Sequence, residues 1–365
     1  MICFYLFWTL SYIAILAWCA SRWSRGRFDV IQRSGFQPCS LLIPLRNEEE
    51  NIEPLFAEFT KIDHPSLEIL LIDDQSEDAT WSLIQVGAQT DARVKVLLSP
   101  GVGKKAAIEF GVKQAASELI LCSDADCRFP ADWVSIMTGP FIDPEVQLVC
   151  GPVSSTEDAS FFDRFQQIEW ASILLVTQLF FSIKRPMICS AANMAYRKSA
   201  FQAVGGYEQD RHLLSGDDEF LLKRIAAKFG SASCLYLSHV GEPVLTKAQK
   251  TFSDLLNQRI RWAGKWKLHQ DWRHALAALG TLMAQLIWLG SVVLLGLGAY
   301  GALAFILVWV WKIWAESRTL RRILFTMKDI SLKDQVATGV LHPFYVILVA
   351  AGTLRGKFHW KGRAN

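Results

Sequence analysis

A run of 37 residues from Ala275 to Trp311 without one Asp, Glu, Lys or Arg constrains this chain more than any other feature. As a single helix it would measure about 55 Å at 1.5 Å per residue, against roughly 30 Å for the hydrocarbon core of a bilayer. It therefore reads as a hairpin of two spans turning at the glycine-rich run Gly296-Leu297-Gly298-Ala299-Tyr300-Gly301. Residues 1–21 are also uncharged, as are residues 335–354 apart from the titratable His342. The 51% hydrophobic content is more than a soluble protein of this length needs, so part of the chain belongs in lipid.

Arg22, Arg25 and Arg27 follow the first apolar run instead of preceding it, which argues for an uncleaved anchor over a signal peptide. The positive-inside rule places them in the cytosol, and the hairpin returns Arg318, Arg321, Arg322, Lys328 and Lys333 to the same side. If residues 335–354 also cross, the tail with Arg355, Lys357, Lys361 and Arg363 ends outside. The expected organisation is an anchor at 1–21, a cytosolic domain at 22–248 and an amphipathic interfacial region at 249–274. A transmembrane hairpin at 275–314, a basic cytosolic loop at 315–334, a membrane segment at 335–354 and a basic tail at 355–365 complete it. A net charge of +3 is too small to indicate nucleic acid, and the basic residues near the membrane suit anionic lipid headgroups. With only His342 able to titrate inside these segments, a channel or transporter is disfavoured. Eight cysteines lack the paired spacing of a zinc site and read as reduced thiols in a cytosolic domain.

Between anchor and hairpin the pattern alternates strand and helix. Ser40 to Pro44 is an apolar run followed by Asn47-Glu48-Glu49-Glu50-Asn51, suited to a first helical turn. Leu67 to Ile72 runs into Asp73-Asp74-Gln75-Ser76-Glu77-Asp78 and a helix from Ala79 to Ala88. Val94 to Leu98 precedes a glycine loop and a helix from Lys104 to Ala116, and Glu118 to Cys122 delivers Asp124 and Asp126. Such alternation predicts an α/β fold with a doubly wound, mostly parallel sheet that binds ligands outside the carboxyl ends of its strands. The apolar part of Phe161 to Ile183 is too short to span and predicts a buried or interfacial helix. Phe252 to Ala278 mixes Trp262, Trp266 and Trp272 with Arg259, Arg261, Lys265, Lys267 and Arg273, as a helix in the headgroup region does.

Each acidic cluster has a plain reading and a chemical one. Asp124-Ala125-Asp126 is either a solvated turn or a pair of carboxylates for a hard divalent cation shared with a diphosphate. Asp73 and Asp74 either cap the next helix or recognise a base or ribose. Ser215-Gly216-Asp217-Asp218-Glu219 either offsets a helix dipole or supplies a general base, its pKa raised by like charges. Gln258, Arg261 and Trp262 share one helix face. That face either snorkels at the membrane surface or presents an arginine to a diphosphate and an indole to a sugar.

In this order the segments resemble glycosyltransferase family 2, inverting enzymes of the nucleotide-diphospho-sugar (GT-A-like) fold, and especially its membrane-integrated members. The resemblance runs over most of residues 38–265. It implies that Pro44, Arg46, Glu48, Asp73, Asp74, Lys104, Asp124 and Arg261 bind the nucleotide-diphospho-sugar donor, and that Asp124 and Asp126 hold Mg2+ or Mn2+. It further implies Asp218 as catalytic base, and Asn193, Asp217, Gln258 and Trp262 on the acceptor side. Gly103, Ala107 and Gly111 accompany Lys104, and Tyr196, Arg197 and Gly205-Gly206-Tyr207 accompany Asn193. Two positions depart from the family pattern: Ala191 replaces a common glycine and Glu109 a common asparagine. The expectation is single transfer to a lipid, lipid-linked or glycan acceptor at the cytosolic face of the plasma (inner) membrane, with membrane lipids as further partners. Its rivals are a processive polysaccharide synthase and an inactive nucleotide-sugar-binding scaffold. The sequence leaves the oligomeric state open.

Overall fold

The computed structural model describes residues 1–23, 36–156, 160–211, 213, 216–238, 243–267, 272–323, 330–355, 359–360 and 363–364. Arg25, Arg27, Ser215, Lys328, Lys357 and Lys361 lie outside the described residues, as do the side chains of Trp266, Lys267, Trp272 and Arg273. The chain divides into two compact units: one comprises Ser24–Thr156 and Phe180–Lys247, the other Met1–Trp23, Glu157–Leu179 and Ala248–Asn365.

The first unit is α/β. Its strands are β1 (Cys39–Leu45), β2 (Leu67–Asp73), β3 (Val94–Leu98), β4 (Leu119–Cys122), β5 (Leu148–Cys150), β6 (Val153–Ser155), β7 (Met194–Arg197), β8 (Cys234–Tyr236) and β9 (Val244–Thr246). Across both units the helices begin with α1 (Ile2–Arg22), α2 (Glu49–Phe59), α3 (Thr80–Gly87), α4 (Lys104–Gln114) and α5 (Trp133–Thr138). They continue with α6 (Phe161–Ser182), α7 (Lys198–Ala203), α8 (Asp217–Phe229), α9 (Phe252–Ala263), α10 (Trp272–Gly290), α11 (Gly298–Leu320) and α12 (Leu332–Arg355).

Seven strands form one sheet in the order β3-β2-β1-β4-β7-β5-β8. Leu41, Leu42, Ile43, Leu70, Leu71, Ile120 and Leu121 are buried, as expected for strands covered on both faces. Chain order runs outward from β1 to β3 and then returns to β4 on the other side of β1, a topological switch point that opens a crevice at the carboxyl ends of β1 and β4. Helix α4 lies close on the sheet at Gly111, where a Cβ would stand 2.4 Å from Ile72 Cδ1. Strand β7 runs antiparallel to both β4 and β5. It is reached through α6, which leaves the unit, so no βαβ crossover imposes a parallel direction on it. A second small sheet pairs β6 with β9 in parallel, and Arg128 bridges to Leu245.

The second unit is helical. Ile2–Arg22, Ala275–Leu320 and Leu332–Arg355 are long and apolar enough to cross a membrane. The middle stretch reverses direction: Trp309 Nε1 donates to Ser291 Oγ at 2.9 Å, although the two are 18 residues apart. On a straight helix that separation is about 27 Å. The turn lies in the glycine-rich run. Gly298 adopts φ +70°, and a Cβ at Gly301 would stand 2.0 Å from the Leu294 carbonyl oxygen.

One expectation fails in this unit. Helix α11 continues beyond Trp311 and carries Lys312 and Glu316, so His342 is not the only ionisable group in the apolar stretches. Lys312 is 1% exposed and donates to Glu316 Oε2 at 2.8 Å and to the Gly339 carbonyl at 3.0 Å. Tyr12 donates to Glu316 Oε1 at 2.7 Å. Pro343, inside α12, has no N–H to offer the carbonyl four residues before it, and the ammonium takes that place.

Candidate active site

The crevice at the switch point is built by loops braced against one another. Strand β1 outruns β4, whose last partner pair is Leu42 with Cys122. Ser123 N–H donates to the Leu42 carbonyl, so even-numbered residues of β1 face β4. Pro44 therefore lacks its N–H where no strand is left to use it. Beyond it Asn47 sits at φ +50° and Gln75, in the loop after β2, at φ +55°. Asn47 Oδ1 accepts from Glu77 N at 2.9 Å, Asn47 N donates to Ser76 Oγ at 3.0 Å, and Glu48 N donates to Thr80 Oγ1 at 2.7 Å.

Arg46, expected to contact the donor, takes a different part. Its guanidinium donates to the Asp74 and Gln75 carbonyls, both at 2.8 Å, and to Glu77 Oε1 at 2.9 Å. At 9% exposure it is a strut between the two loops. Glu48 accepts from Asn51 Nδ2 at 2.5 Å. Asp78, and neither Asp73 nor Asp74, serves the start of α3, accepting from Thr80 N at 2.9 Å.

Asp73 is 1% exposed, and one carboxylate oxygen accepts from Ser76 N at 3.0 Å while Oδ1 is buried with no partner among the described residues. Asp74 Oδ1 accepts from Gly103 N at 2.7 Å, which ties the loop before α4 to the end of β2. The first residue of α4, Lys104, reaches Asp124 Oδ1 at 2.7 Å and Asp217 Oδ2 at 3.2 Å. Burial works against its charge, but Asp124, Asp217 and Asp218 outweigh it and hold the ammonium pKa above its ordinary value. One lysine thus gathers the carboxylate after β4 and the carboxylates opening α8.

Asp126 is oriented by a residue that the sequence did not single out. Thr246, on β9, donates to Asp126 Oδ2 at 2.7 Å. Burial and the neighbouring Asp124 push the Asp126 carboxyl above its ordinary pKa, while the Thr246 hydroxyl pulls it down. Nothing in the sequence around Thr246 marks it, because its role follows from the pairing of β9 beside β6. Asp218 is half-buried, and its Oδ1 accepts from Glu219 N at 2.8 Å. Glu109 accepts from Tyr207 N at 2.9 Å and Arg211 at 2.5 Å, so it fastens the segment leading towards α8.

Asn193, expected on the acceptor side, is committed elsewhere. It is 3% exposed, with Oδ1 accepting from Trp133 Nε1 at 2.9 Å and Nδ2 donating to the Pro152 carbonyl at 2.9 Å. Gly151 is so close that a Cβ there would stand 2.3 Å from Nδ2. Both ends of the amide are used inside the core, which makes Asn193 a support for β5 and β7. Gln258, Arg261 and Trp262 belong to α9 in the helical unit, where all three are partly exposed.

The eight cysteines are free thiols, seven of them buried, and burial pushes Cys122 up to about 12. Among the described residues no three His, Cys, Asp or Glu side chains gather as metal ligands.

The family model for glycosyl transferase family 2 matches residues 40–205. Similar curated proteins are poly-beta-1,6-N-acetyl-D-glucosamine synthases. That of Staphylococcus epidermidis is 28% identical over 173 residues, covering 47% of this chain and 42% of that protein. That of Staphylococcus aureus (strain COL) is 25% identical over 270 residues, covering 71% of this chain and 61% of that protein. The alignments thus span between 42% and 61% of these relatives' lengths. Among solved structures, a mannosyltransferase from Pyrobaculum calidifontis in complex with GDP-Man and Mn2+ superimposes with a TM-score of 0.53 at 18% identity. The likeness covers 96% of this chain and 95% of that one, and it shows a shared GT-A-like fold. The strand-end carboxylates Asp73, Asp74, Asp124 and Asp126 lie inside the segment that the model of glycosyl transferase family 2 matches, and residues 40–205 of this chain are similar to that family on a GT-A-like fold.

Proposed function

We propose that this chain is a membrane-bound inverting glycosyltransferase. It moves a sugar from a nucleotide-diphospho-sugar to a lipid, lipid-linked or glycan acceptor at the cytosolic face of the plasma (inner) membrane. The reading is carried by the cluster of Lys104, Asp124 and Asp217 at the switch point, with Asp126 and Asp218 beside them in sequence. The buried, unpartnered Asp73 Oδ1 is an acceptor suited to a base N–H or a ribose hydroxyl.

Asp124 and Asp126 fit a divalent cation of the Mg2+ or Mn2+ type. Such ions are commonly bound through one or two carboxylates together with substrate phosphates and water, so a pair of aspartates suffices for the site. Held by these two carboxylates, such a cation would supply positive charge to offset that of the donor diphosphate. Asp218 takes the proton of the acceptor hydroxyl as that oxygen attacks the anomeric carbon opposite the leaving diphosphate, and configuration inverts. Lys104 and Arg261 offset the negative charge on the departing nucleoside diphosphate. Gln258 and Trp262 hold sugar, Asp217 keeps Lys104 in place, and Arg46 and Asn193 act by fixing the loops.

A panel of nucleotide sugars, scored for cation-dependent nucleotide release by the purified full-length protein, tests the reading; no release with any donor would overturn it. Asp126→Ala is expected to weaken binding of UDP or GDP with Mn2+ by at least an order of magnitude, the scale of a lost charge-assisted contact. Calorimetry reads this directly. A pH dependence follows as well. Cation binding needs the ionised carboxylate, and the Asp126 pKa lies above its ordinary value. Affinity for the nucleotide with Mn2+ therefore falls, as pH is lowered, through a window above the usual aspartate range. Thr246→Val removes the hydroxyl that lowers this pKa and shifts the loss to higher pH; an unchanged profile would dissociate Thr246 from the site.

A second reading, processive polymerisation, is favoured by the similarity to poly-beta-1,6-N-acetyl-D-glucosamine synthases. Product length distinguishes the two: single additions support transfer, and long chains from one binding event support polymerisation.

A further inference from the structure

In the helical unit, Arg259 is 5% exposed and Glu169, on α6, is 7% exposed. Arg259 Nε lies 3.1 Å from both oxygens of Glu169, and NH2 donates to Oε2 at 2.7 Å. Tyr345, on α12, donates its hydroxyl to Glu169 Oε1 at 2.9 Å. The remaining terminal nitrogen of Arg259 donates to Gln258 Oε1. The guanidinium carbon stands 4.3 Å from the centroid of the Trp262 ring and 5.4 Å from that of Trp170. Two of the three side chains expected to meet substrate are therefore held by one guanidinium, which is held by one carboxylate, which is held in part by α12. Ile260 packs so closely on Gly352 of α12 that a Cβ there would stand 2.2 Å from Ile260 Cδ1.

A buried ion pair is a poor source of stability, since apolar residues of similar volume serve a core as well or better. What it supplies is geometry: a planar five-donor fork satisfied on several sides leaves α9 one rotation about its axis. We infer that Glu169, Arg259 and Tyr345 are positioning residues that set the rotation of α9 and the rotamers of Gln258 and Trp262, so that α12 is part of the catalytic scaffold as well as an apolar helix. The consequence for turnover rests on the proposed roles of Gln258 and Trp262; the positioning itself does not.

The test uses the full-length protein in detergent or bilayer discs. The contribution of Trp262 to near-ultraviolet circular dichroism is taken as the difference between each parent and its Trp262→Phe derivative. It is measured with the wild type, Arg259→Lys and Tyr345→Phe as parents. Lysine keeps the charge but lacks the fork. The Trp262 signal is therefore expected to be lost with Arg259→Lys and diminished with Tyr345→Phe. Turnover at saturating donor is expected to fall on the order of 10- to 100-fold for the lysine variant, the scale of an ångström-level misplacement. An unaltered Trp262 signal in both variants, or full turnover restored by lysine, overturns the inference. If Arg259→Lys does not fold, Tyr345→Phe, which removes one oxygen atom, decides alone on the same two readouts. A wild type that releases no nucleotide from any donor defeats the proposed function and leaves the dichroism test standing.

Discussion

Asp218→Asn is expected to leave the protein folded and able to bind donor nucleotide with Mn2+, yet to reduce sugar transfer by about 10²- to 10⁴-fold, the usual contribution of a general base. At about 1.4 kcal/mol per decade this is a barrier increase of roughly 3–5 kcal/mol. The amide is isosteric and still accepts from Glu219 N through its oxygen, so the bond that Asp218 Oδ1 makes at the start of α8 survives. What is lost is the ability to take a proton. Asp217→Asn makes the contrasting control. Asp217 contacts Lys104 at 3.2 Å, so its loss loosens the lysine from the carboxylate cluster and is expected to act on nucleotide binding more than on turnover. If the two variants lose the same step, or Asp218→Asn turns over like the wild type, the division of labour between the adjacent aspartates is wrong. Nucleotide release and calorimetry on the same preparations separate these outcomes.

The strand-end aspartates were legible in the sequence because they depend on local pattern. An apolar run delivers the chain to a crevice, and a carboxylate after it has few places to go. The same logic made β1 to β4 and the hairpin turn at Gly298 readable, since strand period, glycine and charge are all properties of neighbours in the chain. Long-range partners were not readable. The reversed direction of β7 depends on α6 leaving the unit, and nothing in Met194–Arg197 states it. Arg46 and Asn193 show the same limit from the side of function. Each stands in a motif associated with ligand, yet the partners of each, Asp74, Gln75 and Glu77 for one and Trp133 and Pro152 for the other, come from tens of residues away. Thr246 has the converse history, an ordinary strand residue given meaning by 120 residues of separation from Asp126. Arg259 was visible only as one more basic residue on a surface-type helix, and burial against Glu169 changes what it does.

Lys312→Met is expected to destabilise the helical unit by about 3–5 kcal/mol, the cost of breaking a buried ion pair by removing one partner. Two separate debts arise. Glu316 keeps its charge and holds the Tyr12 hydroxyl at 2.7 Å. The Gly339 carbonyl loses the ammonium at 3.0 Å, and Pro343 has no N–H to replace it. The rings of Trp309 and Trp288, whose centroids stand 5.5 and 5.7 Å from the ammonium, also lose a cation over their faces. These losses are separable. In the Lys312→Met background, Glu316→Gln is expected to recover most of the electrostatic part by removing the stranded charge, whereas Pro343→Ala restores an N–H to the Gly339 carbonyl and recovers the backbone part. Because a methionine fills nearly the volume of the lysine stem, packing loss contributes little to the single variant. Thermal unfolding of the four proteins in one detergent reads the series, with the midpoint of Lys312→Met lowest and each second substitution raising it. Equal midpoints for Lys312→Met and the wild type would mean that water or detergent already reaches the Glu316 carboxylate. Failure of Pro343→Ala alone to help would show that the carbonyl finds another donor when the lysine is gone.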